Sequence, residues 1–397
     1  MTVRFSAAVT MGKQLRPILR TSGRLISLVV VIALLGRTAG AHSGSAHQPP
    51  APDASVAERT WAQVALELAG PLCPVEQSLL RDGADGRWDE HPLLAAALVA
   101  SGVRRPEVLA RYQSRFDELV AELRHQVRSA GSAQAKAELA FEFLHRRILT
   151  GDYQLGSSDL REALDHGRFN CLSASILFQC LASRLGLDVR GLETPGHVSS
   201  RVVWEGGRLD IETTCSNWFR LASEPDRQGQ AFGHAGRSCA VAGGPSGPAH
   251  EVPETALVGM IYYNRGVDLL AENRFAQALA ANAKAVWLDP ANSAARGNLL
   301  ATLNNWAVRL AGAGQYAEAA ALLRQGMALE PRYELFKSNY VHVHLQWARA
   351  SCRQGRYTPA TQQRGAAVID RPDEVPLRRA HLDVDRRWRR TGSPPTH

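Results

Sequence analysis

Between residues 266 and 372 the sequence repeats with a period of 41 residues. Phe275, Tyr316 and Tyr357 occupy one column, Ala278, Ala319 and Ala360 a second, and Pro290, Pro331 and Pro372 a third. Ala285, Gly326 and Ala367 fall in the same register, as do Gly266, Ala307 and Ala348. Small residues let two helix backbones approach, an aromatic opening the next helix fills the gap between hairpins, and proline follows a helix end it cannot continue. Each unit therefore reads as two helices. Such a pair cannot bury its apolar faces alone, so successive pairs stack.

The run from Tyr262 through Gly266, Phe275, Ala278 and Ala285 to Pro290 resembles a tetratricopeptide repeat, with a longer period than the usual ~34 residues. The extra residues amount to roughly two helical turns, so longer helices are expected. The resemblance implies a curved array over 257–372 that docks a peptide or protein partner. Bracing of the upstream domain, or dimerisation, is the alternative use. The third unit fits least well, with Thr358-Pro359 near the start of its second helix.

Upstream, the text from Glu58 to Leu149 is helical. Pro106 suits the first position of a helix to about Ser129, with Val108, Leu109, Tyr112, Phe116, Leu119, Val120 and Leu123 on one face. Ala130-Gly131-Ser132 interrupts, and a second helix is expected over Ala133–Leu149. After Asp188 the pattern changes to β-rich runs around Glu205-Gly206-Gly207, the signature of a hairpin. Helices followed by strands define an α+β domain. The Gly/Pro/Ser-rich text over 222–256 reads as a linker.

The N-terminus carries a basic stretch, an apolar run from Leu25 to Gly36, and Ala39-Gly40-Ala41. A helix of that length rises about 18 Å, short of a ~30 Å hydrocarbon core. These features describe an export signal cleaved after Ala41, with an uncleaved anchor as the alternative. Residues 42–57 read as a spacer and 373–397 as a basic tail. The expected organisation is thus a signal over 1–41, a spacer, an α+β domain over 58–221, a linker, repeats over 257–372, and the tail. The formal charge of +8 follows from this layout, because six basic residues and no acid precede residue 42. Net charge therefore gives no support for a nucleic-acid-binding face. The expected location is periplasmic or extracellular, with membrane contact only if the N-terminal segment is retained.

The chemistry concentrates in GRFNCLSASILFQCLASRLGL, residues 167–187. Gly167 to Asn170 forms a loop, and Cys171 opens an apolar helix ending near Gly186. A helix N-terminus gathers unpaired N–H groups and the positive end of the dipole. Both favour thiolate, the attacking form of cysteine, and the same N–H groups can hold an oxyanion. Cys180, mid-helix among apolar residues, is an inert core thiol on the same reasoning. A base and an orienting acid complete such a site. His197 opens the first hairpin strand, and Asp210 and Glu212 lie on one face of the returning strand. Placing Glu212 opposite His197 centres the hairpin between Trp204 and Glu205, which favours Glu212 over Asp210.

This order of parts resembles the transglutaminase-like (papain-like) superfamily, through Asn170-Cys171-Leu172-Ser173, Gly196-His197-Val198 and Ile211-Glu212-Thr213-Thr214, over roughly Glu138 to Thr214. The resemblance implies Cys171 as nucleophile, His197 as base, and a thioester passed to an amine or to water. The family's acid is usually aspartate; here glutamate stands in its place. The expected fold class is therefore an α+β transglutaminase-like domain followed by an all-α tetratricopeptide-like array. The expected activity is a cysteine peptidase or acyltransferase on peptide or isopeptide carbonyls, and the alternative is a transglutaminase fold serving only as a binding scaffold. The mechanism calls for no metal and no organic cofactor. The six cysteines form no CxxC pair, and His342 and His344 fall on different faces of a helix.

Overall fold

The computed structural model describes residues 56–222 and 248–354. The export signal, nearly all of the spacer, the middle of the linker with Cys239, the rest of the third repeat from Tyr357 onward, and the basic tail lie outside the described residues. Among the described residues the chain divides into two compact units, one up to Arg296 and one from Gly297.

The first unit opens with α1 (Val56–Glu67), α2 (Pro74–Asp82), α3 (Leu93–Ala100), α4 (Pro106–Gln126) and α5 (Ala133–Arg147). Pro106 occupies the first turn of α4, and Tyr112, Phe116, Val120 and Leu123 form its buried face. Ser132 caps α5 by accepting from Ala135 N at 3.1 Å. Two further helices follow, α6 (Leu160–His166) and α7 (Cys171–Ser183). Every residue of α7 from Cys171 to Ala182 is buried. That explains a sequence apolar on all sides, since a helix enclosed by neighbours has no solvent face. It packs against α3, α5, α6, β1 (Asp188–Thr194) and β2 (His197–Trp204).

The sheet is antiparallel, in the order β3-β2-β1-β4, with β3 over Gly207–Ile211 and β4 over His250–Val252. In the β2–β3 hairpin Trp204 faces Gly207, so the ladder is centred between Glu205 and Gly206, one residue later than the sequence suggests. The reason is steric. Gly206 takes a positive φ of 80°, which glycine adopts freely. Gly207 lies beneath the Trp204 indole, where a Cβ would come within 2.7 Å of the ring. β3 ends at Ile211, paired with Ser200, so Glu212 lies beyond the ladder and is not the cross-strand partner of His197. A short helix, α8 (Trp218–Ala222), follows.

The expected linker differs from what the structure contains. His250–Val252 pairs with Gly191–Glu193 as an edge strand, and Pro253 precedes α9 (Glu254–Ala271). In α9, Leu257, Val258, Met260, Ile261 and Tyr262 belong to the same core as Leu177 and Phe178 of α7. α10 (Phe275–Leu288) packs on α9 and contributes Ala285, Val286 and Leu288 to that core. The first helical pair of the repeating region is thus built into the α+β unit, not separated from it at residue 257. An uninterrupted apolar run needs two buried sides, which a one-sided repeat helix does not offer.

α11 (Ser293–Gly312) runs into the second unit, which continues with α12 (Tyr316–Leu329) and α13 (Glu334–Arg353). α10 and α12 each span 14 residues, and α11 and α13 each span 20, so both pairs repeat in the 41-residue register. The small columns sit where packing is closest. A Cβ on Gly326 would come within 2.7 Å of the Phe336 ring, and one on Gly266 within 2.3 Å of Asn282. His344 is buried against Tyr340, whereas His342 is half-buried on another face of α13.

Candidate active site

Cys171 is the first residue of α7, and the turn before it is fixed by reciprocal capping. Asn170 Oδ1 accepts from Ser173 N at 3.0 Å, and Ser173 Oγ accepts from Asn170 N at 3.0 Å. Ser173 Oγ also donates to Ser157 O at 2.8 Å. Asn170 Nδ2 donates to Ser158 Oγ at 2.8 Å and to Leu155 O at 3.1 Å. The 155–158 loop therefore clamps the turn that precedes Cys171. Asn264 of α9 donates to the same Ser158 Oγ at 2.8 Å.

His197 Nε2 lies 2.6 Å from Glu212 Oε2, and Cys171 acts on the same ring electrostatically. Thr214 steers the acid: its N–H and hydroxyl donate to Glu212 Oε1 at 3.0 and 2.6 Å. Glu212 is 2% exposed and Cys171 9% exposed, so the group is recessed.

Electrostatics bind these parts together. Burial favours a neutral His197, but hydrogen bonds and charge attraction from Cys171 and Glu212 outweigh it and push its pKa up to about 11. Burial likewise opposes a charged Glu212, yet His197 and Thr214 together hold its pKa below the usual carboxylate value. The raised pKa favours the charged form of the ring, which faces the Glu212 carboxylate.

Asp210 is engaged elsewhere. It sits opposite Arg201 in the β2–β3 ladder, and its oxygens accept from Arg201 Nε at 2.6 Å and Nη2 at 2.8 Å. Arg201 continues to Glu251 at 2.9 Å, and Glu251 to Arg190 at 2.8 Å, so Asp210 belongs to a charged ladder across the sheet. Cys180 is buried in the core, which pushes its thiol pKa well up. The five cysteines among the described residues are free thiols.

Several residues around the site carry no signal in the sequence. His145 of α5 donates from Nε2 to Thr213 O at 3.1 Å, and burial lowers its pKa to about 4. Ser175 bonds Val198 O at 3.2 Å and Thr213 Oγ1 at 2.8 Å, tying α7 to the strand bearing His197 and to the turn bearing Glu212. Thr194, paired with His197 across the β1–β2 turn, keeps a buried hydroxyl without a partner. A serine among apolar residues reads as a small core residue until its acceptor is known. No group of three or more His, Cys, Asp or Glu among the described residues is arranged to hold a metal ion.

A family model described as the transglutaminase-like superfamily matches residues 110–219, from within α4 to the start of α8. The matched segment contains Cys171, His197 and Glu212, and the chain carries a transglutaminase-like domain there. No curated protein and no solved structure matched the chain.

Proposed function

We propose that this domain is a thiol acyltransferase or hydrolase acting on amide carbonyls of peptides or isopeptide links. The observation that carries the reading is the His197 imidazole held at Nε2 by Glu212, with Cys171 at the start of α7 acting on the same ring. In the first step Cys171 Sγ attacks the carbonyl carbon and the π electrons move to oxygen. The N–H groups of Cys171 and Leu172, not used by the capping turn, are the donors available to the developing oxyanion. The oxyanion then collapses, the C–N bond breaks, and the imidazolium of His197 gives its proton to the leaving nitrogen, forming a thioester. Water or a primary amine next attacks the thioester while His197 takes its proton, and the Cys171 thiolate departs. Glu212 keeps the ring oriented and stabilises its charged form.

The test is incubation with a glutamine-bearing protein and a fluorescent primary amine, following amine incorporation and released ammonia. Incorporation lost in Cys171→Ala supports transfer, and ammonia without incorporation supports hydrolysis. If neither exceeds the Cys171→Ala background and no thioester can be trapped with hydroxylamine, the second reading applies. That reading, a recognition fold without catalysis, draws on the small exposure of Cys171.

The same proposal includes export, argued from the apolar N-terminal segment, and partner docking by the repeats. Fractionation of cells expressing the full chain, with N-terminal sequencing of the mature protein, tests the first. Capture of a partner by the full chain, lost on substitutions in α12 or α13, tests the second.

A further inference from the structure

The C-terminal end of α3 gathers three guanidinium groups. Arg104 Nη1 donates to Val99 O at 2.5 Å, Arg265 Nη1 to Ala100 O at 3.2 Å, and Arg161 Nη2 to Ser101 O at 2.8 Å. Gly102 makes room for them, since a Cβ there would lie 3.3 Å from Arg265 Nη1 and 3.5 Å from Arg161 Nη2. Capping a helix end explains why these groups meet. It does not explain their excess over acids.

Arg161 is matched by Asp159. Arg104 and Lys284 share one oxygen of Glu76, at 2.8 and 2.6 Å. Arg274 meets Glu272 at 3.0 Å on the exposed side. Arg265 has no carboxylate partner among the described residues and spends one N–H on Ala100 O. Two positive charges are thus unmatched: one of the pair sharing Glu76, and Arg265. Arg104, Arg265, Arg274 and Lys284 line a cavity of about 170 Å³ between α9 and α10, with Tyr262 and Gln277. Burial, and then repulsion from Arg104, lowers the pKa of Arg265, as expected of a cation crowded by others.

We propose that this cavity binds a phosphate-type dianion, with Arg265 and the surplus cation of the Arg104–Lys284 pair matching its charge and Arg274 at the rim adding to the positive field. A dianion matches the two unpaired charges, whereas a single carboxylate leaves one over. The cavity is lined by none of Cys171, His197 and Glu212, so occupancy does not depend on the reading of that site.

The experiment is calorimetric titration of the full chain with inorganic phosphate at constant ionic strength, with sodium chloride and acetate as parallel arms. Saturable phosphate binding is expected, with no saturable response to chloride or acetate. Arg265→Gln is expected to weaken it by about tenfold or more. Because Arg265 also caps α3, Arg274→Gln at the exposed rim serves as the second variant, with the same direction and an unchanged unfolding temperature. Three results would overturn the proposal: no saturable phosphate binding, binding unchanged in both variants, or acetate binding as tightly as phosphate.

Discussion

Glu212 Oε2 lies 2.6 Å from His197 Nε2 although the two residues are not paired in the β2–β3 ladder. The contact exists because the strand ends at Ile211 and Thr214 turns the carboxylate back with two hydrogen bonds. Asp210, inside the ladder, is held by Arg201.

The two acids should therefore respond differently to loss of charge. Glu212→Gln keeps the shape but not the charge, and should slow acylation of Cys171 by about a hundredfold or more. Asp210→Asn should leave that rate unchanged and cost at most about 1 kcal/mol of stability. Single-turnover acylation and urea unfolding of both variants check this. Equal losses of rate would assign Asp210 to the site.

Stability should pass through a maximum near pH 6.5. His145 is buried neutral with a folded pKa of about 4, below its ordinary 6.5, so its contribution is present above 6.5 and lost as pH falls toward 4. Glu212, lowered from 4.5, adds a loss at still lower pH. His197 acts in the opposite sense: its contribution is complete below 6.5 and is lost as pH rises through about 11. Urea midpoints from pH 4 to 10 should show both limbs. His145→Gln should flatten the acid limb and His197→Gln the alkaline one.

Glu76 and Lys284 are both nearly covered and 2.6 Å apart. Glu76→Gln leaves a buried ammonium without its counter-charge and should cost about 3–5 kcal/mol. Glu76→Leu combined with Lys284→Met should recover most of that loss. Chemical denaturation of the three proteins is the measurement, and a fully additive double variant would contradict the coupling.

Asn264 reaches the turn before Cys171 through Ser158. Asn264→Ala should slow Cys171 labelling several-fold while costing about 1 kcal/mol of stability. A chain ending at residue 222 should fail to fold, because Leu257 and Ile261 are missing from its core. Circular dichroism and gel filtration of the truncated chain decide the second point.

Much of this was legible in the sequence. Asn170 before an apolar run marked the start of α7, Glu205-Gly206 marked a turn, and the 41-residue columns marked the helical pairs that recur in α10 to α13. The illegible parts are non-local. β4 has only three residues and becomes a strand through its pairing with β1. The buried role of α9 was partly written in Leu257-Val258-Gly259-Met260-Ile261-Tyr262-Tyr263, but the repeat columns drew the boundary at 257. Glu212 emerged from a register that is itself one residue off, because a ladder count cannot include a side chain turned back by Thr214.

The pH dependence of Cys171 alkylation by iodoacetamide, followed residue by residue by mass spectrometry, tests the central claim most directly. Cys171 should react at mildly acidic pH far faster than Cys180 or Cys215, and His197→Ala should abolish that advantage. Slow labelling of all three, unchanged in His197→Ala, would contradict a working pair of sulfur and imidazole.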